Sequence, residues 1–236
     1  MADTMESFEQ KEFEFEGMRA IIVFPSTEPN GKWLLKTEYF GAFPKFQIQM
    51  LERGYHLAYL QNVTRWCKDE DIERKHRFIK YISETYSLSS SCVPVGMSCG
   101  GMIAIKLAAA YPEDVSAMFI DAPVINLLSC PAGLGAGRGT AFSEFENAMG
   151  MTLKDLISYR NHPLDKLDIL IENKTPVCIV CGDADDVVPF DENGIFVIEK
   201  YKNSGVPFKS IVVKGRGHHP HGLDDNTPII DFISQF

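Results

Sequence analysis

Apolar residues recur along the chain in two alternating patterns. Short continuous apolar runs are typical of strands that are buried on both faces of a sheet. Longer stretches with apolar residues every three or four positions are typical of helices with one buried face. Eight strand-like runs occur, and most of them alternate with a helical stretch. We therefore predict an α/β fold, with one mostly parallel eight-stranded sheet covered on both faces by helices.

The first two strands differ from the rest because apolar and charged residues alternate in "KEFEFEG". This alternation, followed by a turn at Glu16-Gly17, predicts an antiparallel hairpin at one edge of the sheet. Further strands are predicted over 32–40, 55–62, 115–123, 175–183 and 208–217, and residues 93–112 are predicted as a strand followed by a helix. Other helices are predicted over 44–54, 69–87, 190–205 and 227–236.

One long segment, residues 124–166, breaks the alternation. It predicts no strand, but it holds the glycine-rich stretch "SCPAGLGAGRGT" followed by two short helical pieces. Insertions of this length in a compact domain commonly carry function. We expect a lid or cap over a site, inserted into a single domain that spans 1–236. The alternative is a surface loop with no role.

Composition excludes some classes of function. The chain has 236 residues and a formal net charge of −9, with Lys and Arg scattered, which argues against a nucleic-acid partner. No apolar stretch approaches the roughly 20 residues of a membrane span, and the acidic N-terminus lacks a signal-peptide pattern. We therefore expect a cytoplasmic protein without a membrane partner. The pair Cys178 and Cys181 lies in a strand, where residues three apart face opposite ways, so we expect buried free thiols.

A candidate nucleophile lies in the stretch "VPVGMSCGGM", where a strand meets a helix. Gly96-Met97-Ser98-Cys99-Gly100 has the G-x-S-x-G form of a sharp turn that exposes a serine. The glycines relieve crowding against the neighbouring strand and helix. The backbone N–H of Cys99 would be free at the helix N-terminus to stabilise an oxyanion. A serine hydroxyl still needs a base before it is a strong nucleophile.

The candidate base lies in "KGRGHHPHGLDD", which follows the last predicted strand. We take His218 as the base, His219 as the second choice and His221 as a residue that orients the loop. The competing interpretation is a metal site formed by these three histidines with Asp224 or Asp225. No matching set of ligands occurs elsewhere in the chain, so we expect no metal.

The candidate acid lies in "CGDADDVVPF", after the seventh predicted strand. Adjacent carboxylates cannot all be buried and ionised cheaply, so we expect one of them to face the histidine. We choose Asp185, with Asp121 at the end of the sixth strand as the alternative. The order Ser98, Asp185, His218 along the chain is the order of α/β-hydrolases.

The chain resembles the α/β-hydrolase superfamily over nearly its full length. "GMSCGG" resembles the nucleophile turn, "GDADDVVP" the acid loop and "GRGHHPH" the histidine loop of that superfamily. The resemblance implies Asp185, three residues after a glycine, as the acid and His218, directly after a glycine, as the base. More narrowly, the chain resembles a bacterial group of esterase-like and prolyl-oligopeptidase-like hydrolases of poorly defined substrate. The His-Gly oxyanion segment common after the third strand is missing, and Thr37 is our candidate for the second N–H donor.

These residues predict a serine hydrolase that cleaves a small carboxylic ester through an acyl-enzyme, with no cofactor. Two alternatives remain. An amidase or peptidase would use the same three residues, because the difference lies in the leaving group and the shape of the pocket. A non-catalytic binding protein with the same fold is the third reading, and a complete set of catalytic residues argues against it.

Overall fold

The computed structural model of the protein describes residues 4–138 and 141–236. Eight strands form one sheet in the order β1-β2-β4-β3-β5-β6-β7-β8. β2 is antiparallel to both of its neighbours, and all the other strand pairs are parallel. This confirms the predicted mostly parallel sheet of eight strands. The strands are β1 (Gln10–Phe15), β2 (Met18–Val23), β3 (Trp33–Lys36), β4 (His56–Leu60), β5 (Val93–Met97), β6 (Met118–Asp121), β7 (Val177–Gly182) and β8 (Phe208–Val213).

Helices connect most of the parallel strands. They are α1 (Lys45–Leu51), α2 (Asp69–Tyr86), α3 (Cys99–Ala110), α4 (Phe142–Met149), α5 (Leu153–Ser158), α6 (Leu167–Glu172), α7 (Gly194–Tyr201) and α8 (Thr227–Ile233). The sequence did not predict α6, because six residues are too few for a helical period to show. Among the residues described, none of these helices has the length and apolar composition needed to cross a lipid bilayer.

The sheet separates two hydrophobic cores, one on each face. Side chains alternate along a strand, so Ile179 of β7 belongs to one core and its neighbour Cys178 to the other. Helices α2, α3, α6 and α7 cover the first face, whereas α1 and α8 cover the second. The prediction of helices on both faces is therefore confirmed. All six cysteines are buried and form no disulfide. Cys178 and Cys181 lie on opposite faces of the sheet, as expected for residues three apart in a strand.

The edge hairpin forms as the sequence predicts. β1 pairs antiparallel with β2, in register from Gln10 opposite Val23 to Phe15 opposite Met18. On the inner side of β1, the Phe15 ring lies 5.3 Å from the ring of Phe78 on α2, edge to face. Such aromatic packing explains why an edge strand with an otherwise charged sequence stays on the sheet.

The segment 124–166 packs against the body of the protein through α4. The buried ring of Phe145 contacts the Trp66 ring edge to face, with 5.3 Å between centroids. Beside it, Glu144 accepts two hydrogen bonds from the Arg65 guanidinium. Both partners of that ion pair are substantially exposed, so it contributes little to stability.

A fully buried lysine, Lys36, ends β3 beneath the loop that leads to α1. Its ammonium group donates to the carbonyl of Ala42 at 3.3 Å and lies 3.4 Å from Met97 Sδ. The ammonium group also donates to the side-chain oxygen of Gln47 at 2.8 Å, in the amide orientation that satisfies both ends of that side chain. Burial lowers the pKa of Lys36 to about 7, although the charge of Asp121 opposes that shift.

The low pKa of Lys36 predicts a pH-dependent contribution to stability. From pH 7 towards the ordinary lysine value of 10.5, the unfolded chain binds a proton that the native protein does not. The stability of the protein relative to Lys36→Met should therefore rise with pH in this window, by at most about 1.4 kcal/mol per pH unit. Urea unfolding of both proteins measures the difference, and a difference independent of pH would contradict the prediction.

Candidate active site

Ser98 occupies a sharp turn at the carboxyl end of β5. It is the single residue between β5 and α3, with φ of 54° and ψ of −121°, a strained conformation for any residue except glycine. The turn closes because glycines leave room for it. A Cβ at Gly96 would lie 2.2 Å from the Gly100 carbonyl oxygen, and one at Gly101 would lie 2.5 Å from Pro123 Cβ. From this turn the Ser98 hydroxyl reaches the ring of His218.

The structure brings the three predicted residues together in a row. His218 Nδ1 lies 2.7 Å from Asp185 Oδ2, and His218 Nε2 lies 3.1 Å from Ser98 Oγ. The carboxylate can only accept, so Nδ1 carries the proton and Nε2 is left to accept from the serine hydroxyl. This is the hydrogen-bond pattern that lets an imidazole remove a proton from an alcohol.

Asp185 is held rigidly on both of its oxygens. Oδ2 faces His218, while Oδ1 accepts from the N–H groups of Val187 and Val188 at 2.9 and 2.8 Å. Burial alone raises the pKa of Asp185, but the hydrogen bonds from His218 and these N–H groups outweigh burial and leave the pKa below its ordinary value. The carboxylate is therefore ionised at neutral pH.

The two neighbouring aspartates serve other purposes. Asp183 accepts a hydrogen bond from the N–H of Gly215, and Asp186 forms an exposed ion pair with Arg138 at 3.2 Å. Of the three carboxylates in this loop, only that of Asp185 reaches the histidine.

Asp121, the alternative acid, instead binds the histidine loop. Its fully buried carboxylate accepts from the Arg216 guanidinium at 2.9 Å, from His221 Nδ1 at 3.1 Å and from the N–H of Gly222 at 2.7 Å. The loop that presents His218 is thus tied to the end of β6. Sequence reasoning missed Arg216, and the only signal was a basic residue just before the glycine of the histidine loop.

The expectation for Thr37 is wrong. Its N–H donates to the carbonyl of Val95 at 3.2 Å, and its hydroxyl donates to the carbonyl of Gly100 at 2.7 Å. Thr37 therefore continues the pairing of β3 with β5 and has no N–H left for a substrate oxygen. The N–H of Cys99, in contrast, is at the first position of α3 and has no acceptor within the helix.

Tyr39 is the polar residue of this loop that lines the cavity beside Ser98. The Cys99 thiol and the Arg65 guanidinium are close enough to its hydroxyl to influence its pKa. Burial, followed by the neighbouring thiol, raises the pKa of Tyr39 far above its ordinary value, so the phenol keeps its proton and can donate. Burial likewise raises the pKa of Cys99 to about 11, which argues against that thiol as a nucleophile at neutral pH.

Ser98 opens into a cavity of about 320 Å³. Its walls come from the loop after β3, from Arg65, from Val187 and from the histidine loop. Within the part of 124–166 that the structure describes, no residue lines this cavity. The lid over 124–166 therefore stays a prediction, and Gly139 and Thr140 in its glycine-rich stretch lie outside the described residues.

Comparisons with known proteins identify a family and a fold. A model of the prolyl oligopeptidase family matches residues 52–235 of the chain. No curated protein matches it significantly.

Several solved structures share the fold at low sequence identity. A puromycin hydrolase superposes with a TM-score of 0.71 at 16% identity, over 96% of this chain and 37% of its own. An acylaminoacyl peptidase from Pyrococcus horikoshii gives 0.67 at 14%, over 89% and 37%. MGS-MChE2, an α/β-hydrolase enzyme from a lagoon-sediment metagenome, gives 0.58 at 16%, over 95% and 96%. The chain thus spans little more than a third of the two longer proteins, and the likeness establishes an α/β-hydrolase fold.

The glycine at position 96 is required by the turn, so Gly96→Ala should be strongly destabilising. The added methyl group would lie 2.2 Å from a backbone oxygen of α3, which has to move. Overpacking of this kind costs about 1–3 kcal/mol or more of the free energy of unfolding. Gly41→Ala is the matched control, since a Cβ there has nothing within 4 Å, and it should change stability by less than about 1 kcal/mol. Equal stability of the two variants in urea would refute the role of Gly96.

Proposed function

The chain belongs to the prolyl oligopeptidase family, and we propose that it is a serine hydrolase with Ser98 as nucleophile, His218 as general base and Asp185 as the orienting acid. One observation carries the proposal: a row of hydrogen bonds from Asp185 through His218 to Ser98, at 2.7 and 3.1 Å. Each of the three side chains comes from a different loop at the carboxyl end of the sheet, where α/β folds bind ligands.

In the proposed reaction, Ser98 Oγ attacks the substrate carbonyl while His218 Nε2 takes its proton. The ionised Asp185 stabilises the imidazolium that forms and keeps the ring in position. The tetrahedral intermediate collapses when His218 returns the proton to the leaving group, which departs. A water molecule then releases the acyl group from Ser98 by the same steps in reverse order.

The negative charge that develops on the carbonyl oxygen needs donors that are already in place. We assign the backbone N–H of Cys99 as one donor, since it is free at the start of α3. For the second donor we propose the Tyr39 hydroxyl in place of the Thr37 N–H. Tyr39 lines the cavity next to Ser98, and its partial burial keeps the phenol protonated.

For the substrate we propose an amide of small size, such as a short peptide or an aminoacyl amide. The family and the printed names of the structural neighbours, a puromycin hydrolase and an acylaminoacyl peptidase, favour an amide over the small carboxylic ester predicted from the sequence. A cavity of about 320 Å³ lies at the small end of the range for ligand sites. Activated esters, which have better leaving groups, are expected to react at the same serine.

Replacing the nucleophile separates an enzyme from a binding protein that merely has this fold. Hydrolysis of p-nitrophenyl acetate and of an aminoacyl-p-nitroanilide should fall by at least about 10⁴-fold in Ser98→Ala. The exposed Ser90 offers a matched control, and Ser90→Ala should keep the wild-type rate. A fluorophosphonate probe should label the wild type and the Ser90 variant but not the Ser98 variant.

Turnover of both substrates by the Ser98 variant at the wild-type rate would overturn the proposal. The ratio of the hydrolysis rates of the ester and the anilide shows which leaving group, alcohol or amine, the enzyme prefers. If the ester is cleaved and no anilide or peptide amide is, the small-ester prediction is favoured instead.

Loss of one oxyanion donor lowers kcat and leaves substrate binding largely intact. Tyr39→Phe removes only the hydroxyl, so kcat should drop by about 10²–10³-fold with little change in KM. Steady-state kinetics on p-nitrophenyl acetate measure this split. An unchanged kcat in Tyr39→Phe would exclude the hydroxyl as a donor.

A further inference from the structure

Three histidine rings meet beside Ser98 although the proposed reaction needs only one of them. The centroids of His218, His219 and His221 lie 4.8, 4.9 and 5.0 Å apart, with the rings close to perpendicular. One ring nitrogen from each residue lies within 4.8 Å of the others. Imidazole nitrogens gathered in this way form a ligand set suited to Zn²⁺, which binds them at about 2.0–2.1 Å.

Two of the rings are already oriented as metal ligands usually are. His218 donates its Nδ1–H to Asp185, and His221 donates its Nδ1–H to Asp121. In each case the carboxylate fixes the tautomer and leaves the Nε2 lone pair as an acceptor. That of His218 accepts from Ser98 Oγ at 3.1 Å, and that of His221 has no hydrogen bond to any residue that the structure describes. A carboxylate bonded to the far nitrogen is the common second shell of zinc-binding histidines.

The third ring, that of His219, differs from the other two. It is exposed, and neither of its nitrogens makes a hydrogen bond to any residue that the structure describes. One face stacks on Phe43, with 5.6 Å between centroids. An exposed ring can shift by the ångström or so that a tetrahedral site requires, and an ion arriving from solvent meets it first.

We propose that His218, His219 and His221 form an inhibitory site for Zn²⁺, with the fourth position taken by water or by the Ser98 hydroxyl. The ion would occupy the Nε2 lone pair of His218, which is the same lone pair that accepts the serine proton. Zinc and proton transfer are therefore mutually exclusive. Binding of the ion does not depend on the proposed hydrolase function; only the inhibition rests on it.

A second group of possible ligands, His76 with Glu113 and Asp114, supplies a built-in comparison. There the single imidazole stacks on Tyr111 at 3.9 Å and is bonded to Asp114 at 2.6 Å, and the remaining donors are carboxylates. One imidazole with two carboxylates suits zinc less well than three imidazoles.

The test is calorimetric titration of ZnCl₂ into the wild type, His219→Gln and Glu113→Gln, with folding checked by circular dichroism. We expect one tightly bound ion in the wild type and in Glu113→Gln. Because changes to outer-shell partners alone cost about 10–100-fold in affinity, loss of the ligand itself should weaken binding by at least about tenfold in His219→Gln. Equal affinity in all three proteins, or a loss confined to Glu113→Gln, would overturn the proposal.

A kinetic arm separates the metal site from the catalytic proposal. Zinc should inhibit p-nitrophenyl acetate hydrolysis by the wild type, and EDTA should restore it. With each variant normalised to its own zinc-free rate, the zinc concentration for half-inhibition should rise for His219→Gln by the same factor as the dissociation constant. Zinc bound through His219 without any hydrolase activity would leave the metal site standing and refute the proposed function. Zinc that binds without inhibiting hydrolysis would refute the proposal that the ion occupies the Nε2 lone pair of His218.

Discussion

The site depends on one backbone turn, in which the chain leaves β5 and enters α3 through Ser98 alone. Such a turn brings strand and helix so close together that no side chain fits at Gly96, and at Gly101 the helix packs against Pro123, after β6, with no room for a side chain. The strain at Ser98, with φ of 54°, is held by the sheet on one side and the helix on the other. The same turn frees the N–H of Cys99. The half-buried hydroxyl of Ser98 and the free N–H of Cys99, which we propose as nucleophile and oxyanion donor, are thus two results of a single packing constraint.

Much of the fold could be predicted because buried parallel strands leave a clear trace of apolar residues in the sequence. The ends of elements were harder. The strand predicted over 32–40 stops at Lys36, because the following residues leave the sheet to form the wall of the cavity. The helix predicted over 190–205 is a short 3-10 turn, Phe190–Glu192, followed by α7. The helix propensity of its residues indicates that a segment is helical, whereas tertiary contacts determine where the helix begins and ends.

The sequence predicts those residues of the candidate site that stand in local motifs. It does not predict roles that depend on contacts between distant parts of the chain. Ser98, Asp185 and His218 each stand in a recognisable loop, and the structure brings their side chains together. Thr37 was misjudged because its N–H is used by a neighbouring strand. The role of Asp121 as the anchor of the histidine loop depends on Arg216 and Gly222, which lie about a hundred positions later in the chain.

Because all six thiols are buried, their reactivity with a labelling reagent reports local unfolding of the protein. Burial raises the pKa of five of them to about 11 or 12 and that of Cys92 well above its ordinary value. Since only the thiolate reacts with alkylating reagents, the native chain presents almost nothing to them. The thiols are distributed over both faces of the sheet. The rate at which label enters each cysteine therefore maps which layer of the molecule opens first, with no foreign probe attached.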